Sequence, residues 1–235
     1  LGTVPVPRED RSLRHMMEKA GAEGVVVVGR GEARWEDKNG NTFRFHPNLS
    51  ALRIKELASG GTDALVTAAN LKPGDRVLDC TLGLGADSIV SAHAVGEEGE
   101  VIGLESQPVI AALVDYGLNH YLSDSPRLNR AMRSVRVVCA DYREELPRLE
   151  DGSFDVVLFD PMFRQTVKRS SGVQALKVLA NPAPLDRQSV SEAKRVARKR
   201  VVLKERLMSG EFERLGFRVE KEASNHAFGI IETRT

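Results

Sequence analysis

From residue 76 onward, apolar positions fall in short, β-branched-rich runs at 76–80, 100–105, 135–140, 154–160 and 200–204. Between them lie stretches with helical spacing, at 86–95, 107–122, 141–149, 171–180 and 186–198. Strands that alternate with helices pair in parallel through crossovers, and the crossover helices cover both faces of the sheet. The finish differs, because 217–221 and 228–233 are joined by Glu222-Ala-Ser-Asn-His226, a hairpin-length connection that predicts antiparallel pairing. The pattern therefore predicts an α/β fold, mostly a parallel sheet, closed by a C-terminal antiparallel hairpin.

The N-terminal stretch follows another grammar. Leu13, Met16, Met17 and Ala20 share one helical face over 8–20, with Gly21 as the stop. Strands follow at 25–29, 32–36 and 42–45, broken by Gly29-Arg-Gly31 and by the turn-rich Asp37-Lys-Asn-Gly-Asn41. Ser50 is the expected cap of a helix over 51–58 that Ser59-Gly-Gly61 ends, and Thr62 of a second over 62–70 before the turn Lys72-Pro-Gly-Asp75. This divides the chain into a small α+β unit (1–48), a helical connector (49–75) and the main α/β domain (76–235). There is no internal repeat and no low-complexity segment.

Composition narrows the function classes. With 41% hydrophobic and 29% charged residues in 235, the chain is neither disordered nor fibrous. The longest apolar runs, such as 25–28 and 156–159, fall far short of the roughly 20 residues that cross a bilayer. Val4-Pro-Val-Pro7 followed by Arg8-Glu-Asp10 carries no signal pattern, and a chain starting at Leu1 reads as N-terminally trimmed. A net charge of +1 excludes nucleic-acid binding through total charge, so any such contact must come from local patches. Cys80 and Cys139 lack metal-ligand spacing and read as two reduced core thiols in the cytoplasm, with no metal expected.

The chemistry concentrates at strand ends. Val77-Leu-Asp-Cys-Thr-Leu-Gly-Leu-Gly-Ala-Asp-Ser88 runs from a strand through a glycine turn into a helix. Gly83 and Gly85 let the backbone turn tightly and a ligand approach the helix N-terminus, although such glycines also serve purely structural turns. Asp87 lies where a pyrophosphate would be repelled, which favours a cationic or zwitterionic ligand such as S-adenosylmethionine over NAD. Glu105, about 20 residues after the turn, can accept hydrogen bonds from ribose hydroxyls. Asp141 can take an adenine amino group, and it is equally a plain helix cap. Asp160-Pro-Met-Phe163 ends the most apolar strand at the carboxyl edge, where doubly wound sheets bind ligands. There Asp160 and the Pro161 carbonyl can accept from an exocyclic amine while Phe163 stacks on the base.

These segments, together with Leu104-Glu-Ser-Gln-Pro-Val-Ile-Ala-Ala-Leu-Val-Asp-Tyr-Gly-Leu118 and Arg200-Val-Val-Leu-Lys204, resemble the Rossmann-like class I S-adenosylmethionine-dependent methyltransferases. Within these, they are most similar to the ribosomal small-subunit methyltransferase J family, which methylates a guanine N2 of 16S rRNA; the likeness covers most of 46–206. The resemblance implies S-adenosylmethionine as cofactor, held by Asp79, Thr81, Gly83, Gly85, Asp87, Ser88, Glu105 and Asp141. It implies the target base at Asp160, Pro161 and Phe163, and small-subunit rRNA as partner. After Phe163 the chain departs from that family, reading Arg164-Gln-Thr-Val-Lys-Arg169, and its N-terminal unit with Trp35 matches poorly.

Arg164, Lys168, Arg169 and Lys204 are the candidate phosphate contacts, and the wider cluster Lys194, Arg195, Arg198, Lys199, Arg200 and Arg206 is either a further RNA surface or a solvated helix face. His46 reads as a structural hydrogen-bonder. Two other readings stand beside the methyltransferase. A nicotinamide-dependent oxidoreductase would use the same glycine turn and Glu105 but has no use for the block 160–163. A non-catalytic RNA-binding module could keep the fold alone.

Overall fold

The computed structural model describes residues 5–29, 31–47, 49–161, 179, 183–223 and 226–233. The N-terminal unit begins with α1 (Leu13–Ala20), shorter than expected because Ser12 caps it by accepting from His15 N–H. Residues 8–11 instead form a turn in which the Arg11 guanidinium holds the Pro7 and Arg8 carbonyls. The strands β1 (Gly24–Val28), β2 (Ala33–Asp37) and β3 (Thr42–Arg44) form an antiparallel meander. Asp37 closes its second turn by accepting from Asn39 and Asn41 backbone N–H groups.

The connector holds α2 (Ser50–Ala58) and α3 (Ala64–Ala69). Both expected caps are displaced. Ser50 lies inside α2 and donates to the Ala86 carbonyl, which pins the helix to the chain just after the glycine turn. Asp63, not Thr62, caps α3, because its extended backbone lets its carboxylate accept from Leu65 and Val66 N–H.

The α/β layer follows as β4 (Arg76–Asp79), α4 (Ala86–Val95), β5 (Glu100–Leu104), α5 (Pro108–His120), α6 (Pro126–Arg133), β6 (Val135–Val138), α7 (Tyr142–Glu145) and β7 (Phe154–Phe159). It ends with α8 (Arg187–Val196), β8 (Ala197–Glu205), α9 (Glu211–Leu215), β9 (Arg218–Glu222) and β10 (Ala227–Glu232). The helix α6 was not among the elements expected from the sequence pattern. Ser125 caps it by accepting from Leu128 N–H, Pro126 starts it, and Leu128, Ala131 and Met132 form its buried face. Most of the helix expected over 171–180 lies outside the described residues.

The sheet order is β6-β5-β4-β7-β8-β10-β9, parallel from β6 to β8 and antiparallel through the final hairpin. The chain winds one way from β4 to β6 and the other way from β7 to β8, so β4 and β7 flank a topological switch point, where open α/β sheets form a ligand crevice at their carboxyl edge. Val77 and Leu78 on β4 point to opposite faces and enter different apolar clusters. The Val77 cluster runs on through Ile54, Leu118 and Phe228 to Trp35 and Phe43 of the small sheet and to Phe45 just after it. Gly117 permits this contact, since a Cβ there would run into the Phe45 ring.

Candidate active site

Four strand ends meet at the switch point. After β4 the chain enters the turn at Thr81–Gly85, with Gly83 at φ +50° and Gly85 at φ +75°, conformations that favour glycine. Asp79 is buried beneath the turn and accepts from Thr81 N–H at 3.0 Å and from Ser88 Oγ at 2.6 Å. Burial pushes its carboxyl up to about 7, against those two hydrogen bonds and with help from the charges of Asp87 and Asp160. Asp79 and Ser88 therefore brace the turn from below.

At the tip of β5, Glu105 accepts from Gly83 N–H at 3.2 Å and from Gln107 N–H at 2.8 Å. Burial raises its pKa while these backbone donors oppose the rise. Beyond the tip of β6, Asp141 caps α7 through Arg143 N–H and lies 3.5 Å from the Arg143 guanidinium. The Ala140 N–H donates to the Glu105 carbonyl, which holds these two tips side by side.

On the other side of the crevice, the Asp160 N–H donates to Thr81 Oγ1 at 2.5 Å, joining the end of β7 to the turn after β4. Its carboxylate accepts from Lys204 Nζ at 2.7 Å, and Lys204 donates equally to Asp87 at 2.8 Å. Arg53 of α2 completes this network, 2.5 Å from Asp87 and bidentate to Asp63 at 2.7 and 2.9 Å. Burial disfavours ionised Asp87, but Lys204 and Arg53 outweigh it and hold the carboxyl well below the usual range. Burial pushes Asp160 upward; Lys204 opposes this, Asp87 adds to it, and the net is upward.

Several expectations change here. Asp87 is paired with two cations, Arg53 and Lys204, so it does not present the free negative charge that was expected to repel a pyrophosphate. Lys204 is a mostly buried cation between two carboxylates, not a surface group awaiting phosphate. The cluster around 194–200 sits at the opposite, amino edge of the sheet, since Ala197 is level with Phe154 while Leu203 is level with Phe159. Arg198 and Lys199 are thus roughly 17–20 Å from Asp160 along the strands, and Lys199 pairs with Asp75 and Asp155. Cys80 is buried as expected, but Cys139 is exposed. Arg53 and Asp63 had no signal in the sequence. Phe163, Arg164, Lys168 and Arg169 lie outside the described residues.

The glycine turn leaves room for a nucleoside cofactor to approach its backbone. A Cβ on Gly83 would meet nothing nearer than the Thr81 carbonyl at 3.8 Å, so the turn presents an open backbone face beside the Glu105 carboxyl. Gly85 differs, because its Cβ would point inward to Leu82 and Val114 at 3.6 Å.

A doubly wound sheet with a glycine turn and an acid at the next strand tip defines the class of α/β enzymes that bind a nucleoside cofactor at the carboxyl edge. The model of the SAM-dependent methyltransferase family matches residues 36–231, and the chain belongs to that family. Its cofactor is S-adenosylmethionine, which displaces the nicotinamide alternative. It is 39% identical over 227 residues to the uncharacterized protein YpiP of Bacillus subtilis (strain 168), covering 96% of this chain and 88% of that protein. It is 34% identical over 160 residues to ribosomal RNA small subunit methyltransferase J of Laribacter hongkongensis (strain HLHK9), covering 66% of this chain and 56% of that protein's length. The crystal structure of the SAM-dependent methyltransferase NGO1261 from Neisseria gonorrhoeae shares the fold, with a TM-score of 0.62 at 19% identity over 89% of this chain and 83% of that one. Among the described residues, no group of His, Cys, Asp and Glu could hold a metal ion, and no helix is long and apolar enough to cross a membrane.

Proposed function

We propose that this protein methylates an exocyclic amine of an RNA base, with guanine N2 of small-subunit rRNA as the target. The observation that carries this reading is the position of Asp160: a carboxylate at the carboxyl end of β7, fastened through its own N–H to the turn after β4. S-adenosylmethionine supplies an electrophilic methyl group. The chain's residues must therefore hold the cofactor and aim an amine lone pair at it.

Gly83 offers an open backbone face, Glu105 a carboxylate for the ribose hydroxyls and Asp141 an acceptor for the adenine amino group. Asp79, Ser88, Thr81 and Gly85 shape the turn from beneath. An exocyclic guanine amine is a weak nucleophile because its lone pair is delocalised into the ring. Asp160 and the Pro161 carbonyl accept its N–H groups and bring the lone pair into line, and Phe163 supplies the stacking face. The Laribacter relative's name, a ribosomal RNA methyltransferase, supports RNA as the substrate class.

The test is methyl transfer from labelled S-adenosylmethionine to rRNA isolated from a strain lacking the gene, followed by nucleoside analysis. Labelled N2-methylguanosine in the small-subunit RNA is expected. Asp160→Ala should bind the cofactor nearly normally and lose turnover about 100-fold. Label absent from RNA, or undiminished in Asp160→Ala, would overturn the reading.

A further inference from the structure

We infer that Lys204 is a positioning residue that keeps Asp160 ionised and aimed, and that Asp87 regulates it by competing for the same ammonium group. This rests on the reading that Asp160 receives the base amine. Three different elements converge on the contact: Lys204 comes from β8, Asp160 from the end of β7 and Asp87 from the first turn of α4. The ammonium group donates to both carboxylates at nearly equal distance, 2.7 Å to Asp160 and 2.8 Å to Asp87. A second bond to Asp160, from its N–H to Thr81, fixes the backbone. Lys204 holds one oxygen of the carboxylate, so both the backbone and the side chain of Asp160 are fixed.

The charges around this contact explain why one lysine matters. Among the described residues, Arg53 and Lys204 are the cations paired here with Asp63, Asp87 and Asp160, and Asp79 lies within reach of the Asp87 and Asp160 charges. Arg53 is already engaged on Asp63 and on the far oxygen of Asp87. Glu205 adds a further negative charge near Asp160, and His226 lies within electrostatic reach of Lys204, edge-on to Phe228, which is level with Lys204 in the sheet. Burial, with the neighbouring Asp87 charge, pushes Asp79 and Asp160 toward protonation, and Lys204 opposes this at Asp160; Asp87 is bonded to both Lys204 and Arg53 and stays ionised. A protonated Asp160 would present a donor where an acceptor is required. The share of Lys204 that reaches Asp160 thereby sets the acid limb of the reaction.

The experiment titrates the Asp160 carboxyl by carbon NMR of the whole protein, with its signal assigned by absence in Asp160→Asn. Asp87→Asn preserves volume and an oxygen for Arg53 while releasing Lys204 to Asp160, so the midpoint should fall by about one pH unit. Lys204→Met should raise it by a similar amount or more, and Lys204→Arg should restore it toward the native value. Methyl transfer to rRNA from the deletion strain should show the acid limb of kcat displaced in the same directions, with the KM for S-adenosylmethionine little changed. A midpoint that stays put or rises in Asp87→Asn overturns the inference, even if Lys204→Met fails to fold. Full turnover in Asp160→Asn would instead sink the base-acceptor reading, which the NMR titration does not depend on.

Discussion

Gly83 and Gly85 lie two residues apart in one turn, yet side chains added to them would go to different places. Both hold positive φ, so each substitution costs about 1–2 kcal/mol in backbone strain. At Gly83 the new atoms enter open space in front of Glu105; at Gly85 they enter the packing of Leu82 and Val114. Gly83→Val is expected to fold and to weaken S-adenosylmethionine binding at least tenfold, about 1.4 kcal/mol. Gly85→Val should chiefly lower the melting temperature, with about 1–3 kcal/mol of overpacking added to the strain. Calorimetry beside thermal melts separates them, and an unchanged Kd in Gly83→Val would remove this turn from the cofactor site. The sequence showed both glycines equally; their different orientations depend on where β5 and α5 pack.

At the scale of elements, α2 and α3 do more than connect. Arg53 ties the cap of α3 to the first turn of α4, and Ser50 ties the start of α2 to Ala86. Arg53→Met would leave Asp63 and Asp87 short of a cation in a mostly buried place. The expected loss is about 3 kcal/mol in urea unfolding; a loss under half of that would mean the pair is solvated. Most strand and helix centres were legible because the period of apolar positions is local. Their ends were not. The helix expected over 186–198 stops at Val196, because pairing of Ala197 with Phe154 of β7 draws 197–199 into β8 ahead of the expected strand 200–204. For α6, Ser125 followed by Pro126 was a readable start signal, but only three buried residues mark its face and the pattern was too short to stand out.

At the scale of the whole molecule, strand order decides which residues can meet. Cys80 and Cys139 follow β4 and β6, which are separated by β5, so their backbones are roughly 9–10 Å apart and beyond disulfide reach. The native protein should therefore react with one equivalent of a thiol reagent, at exposed Cys139, and the unfolded protein with two. Two equivalents in the native state would mean that the site is open around Cys80. The sequence by itself determined the fold class, the glycine turn and the acids at the strand tips, because strand periodicity, turn chemistry and the position of a residue at a strand's end are all local properties. Only the tertiary structure decided that Lys204 and Arg53 neutralise Asp87, that Gly85 faces inward, and that the basic residues around 194–200 lie at the far edge. Those outcomes depend on which strands lie side by side and on the charge each buried carboxylate finds across the crevice, and no spacing along the chain encodes either.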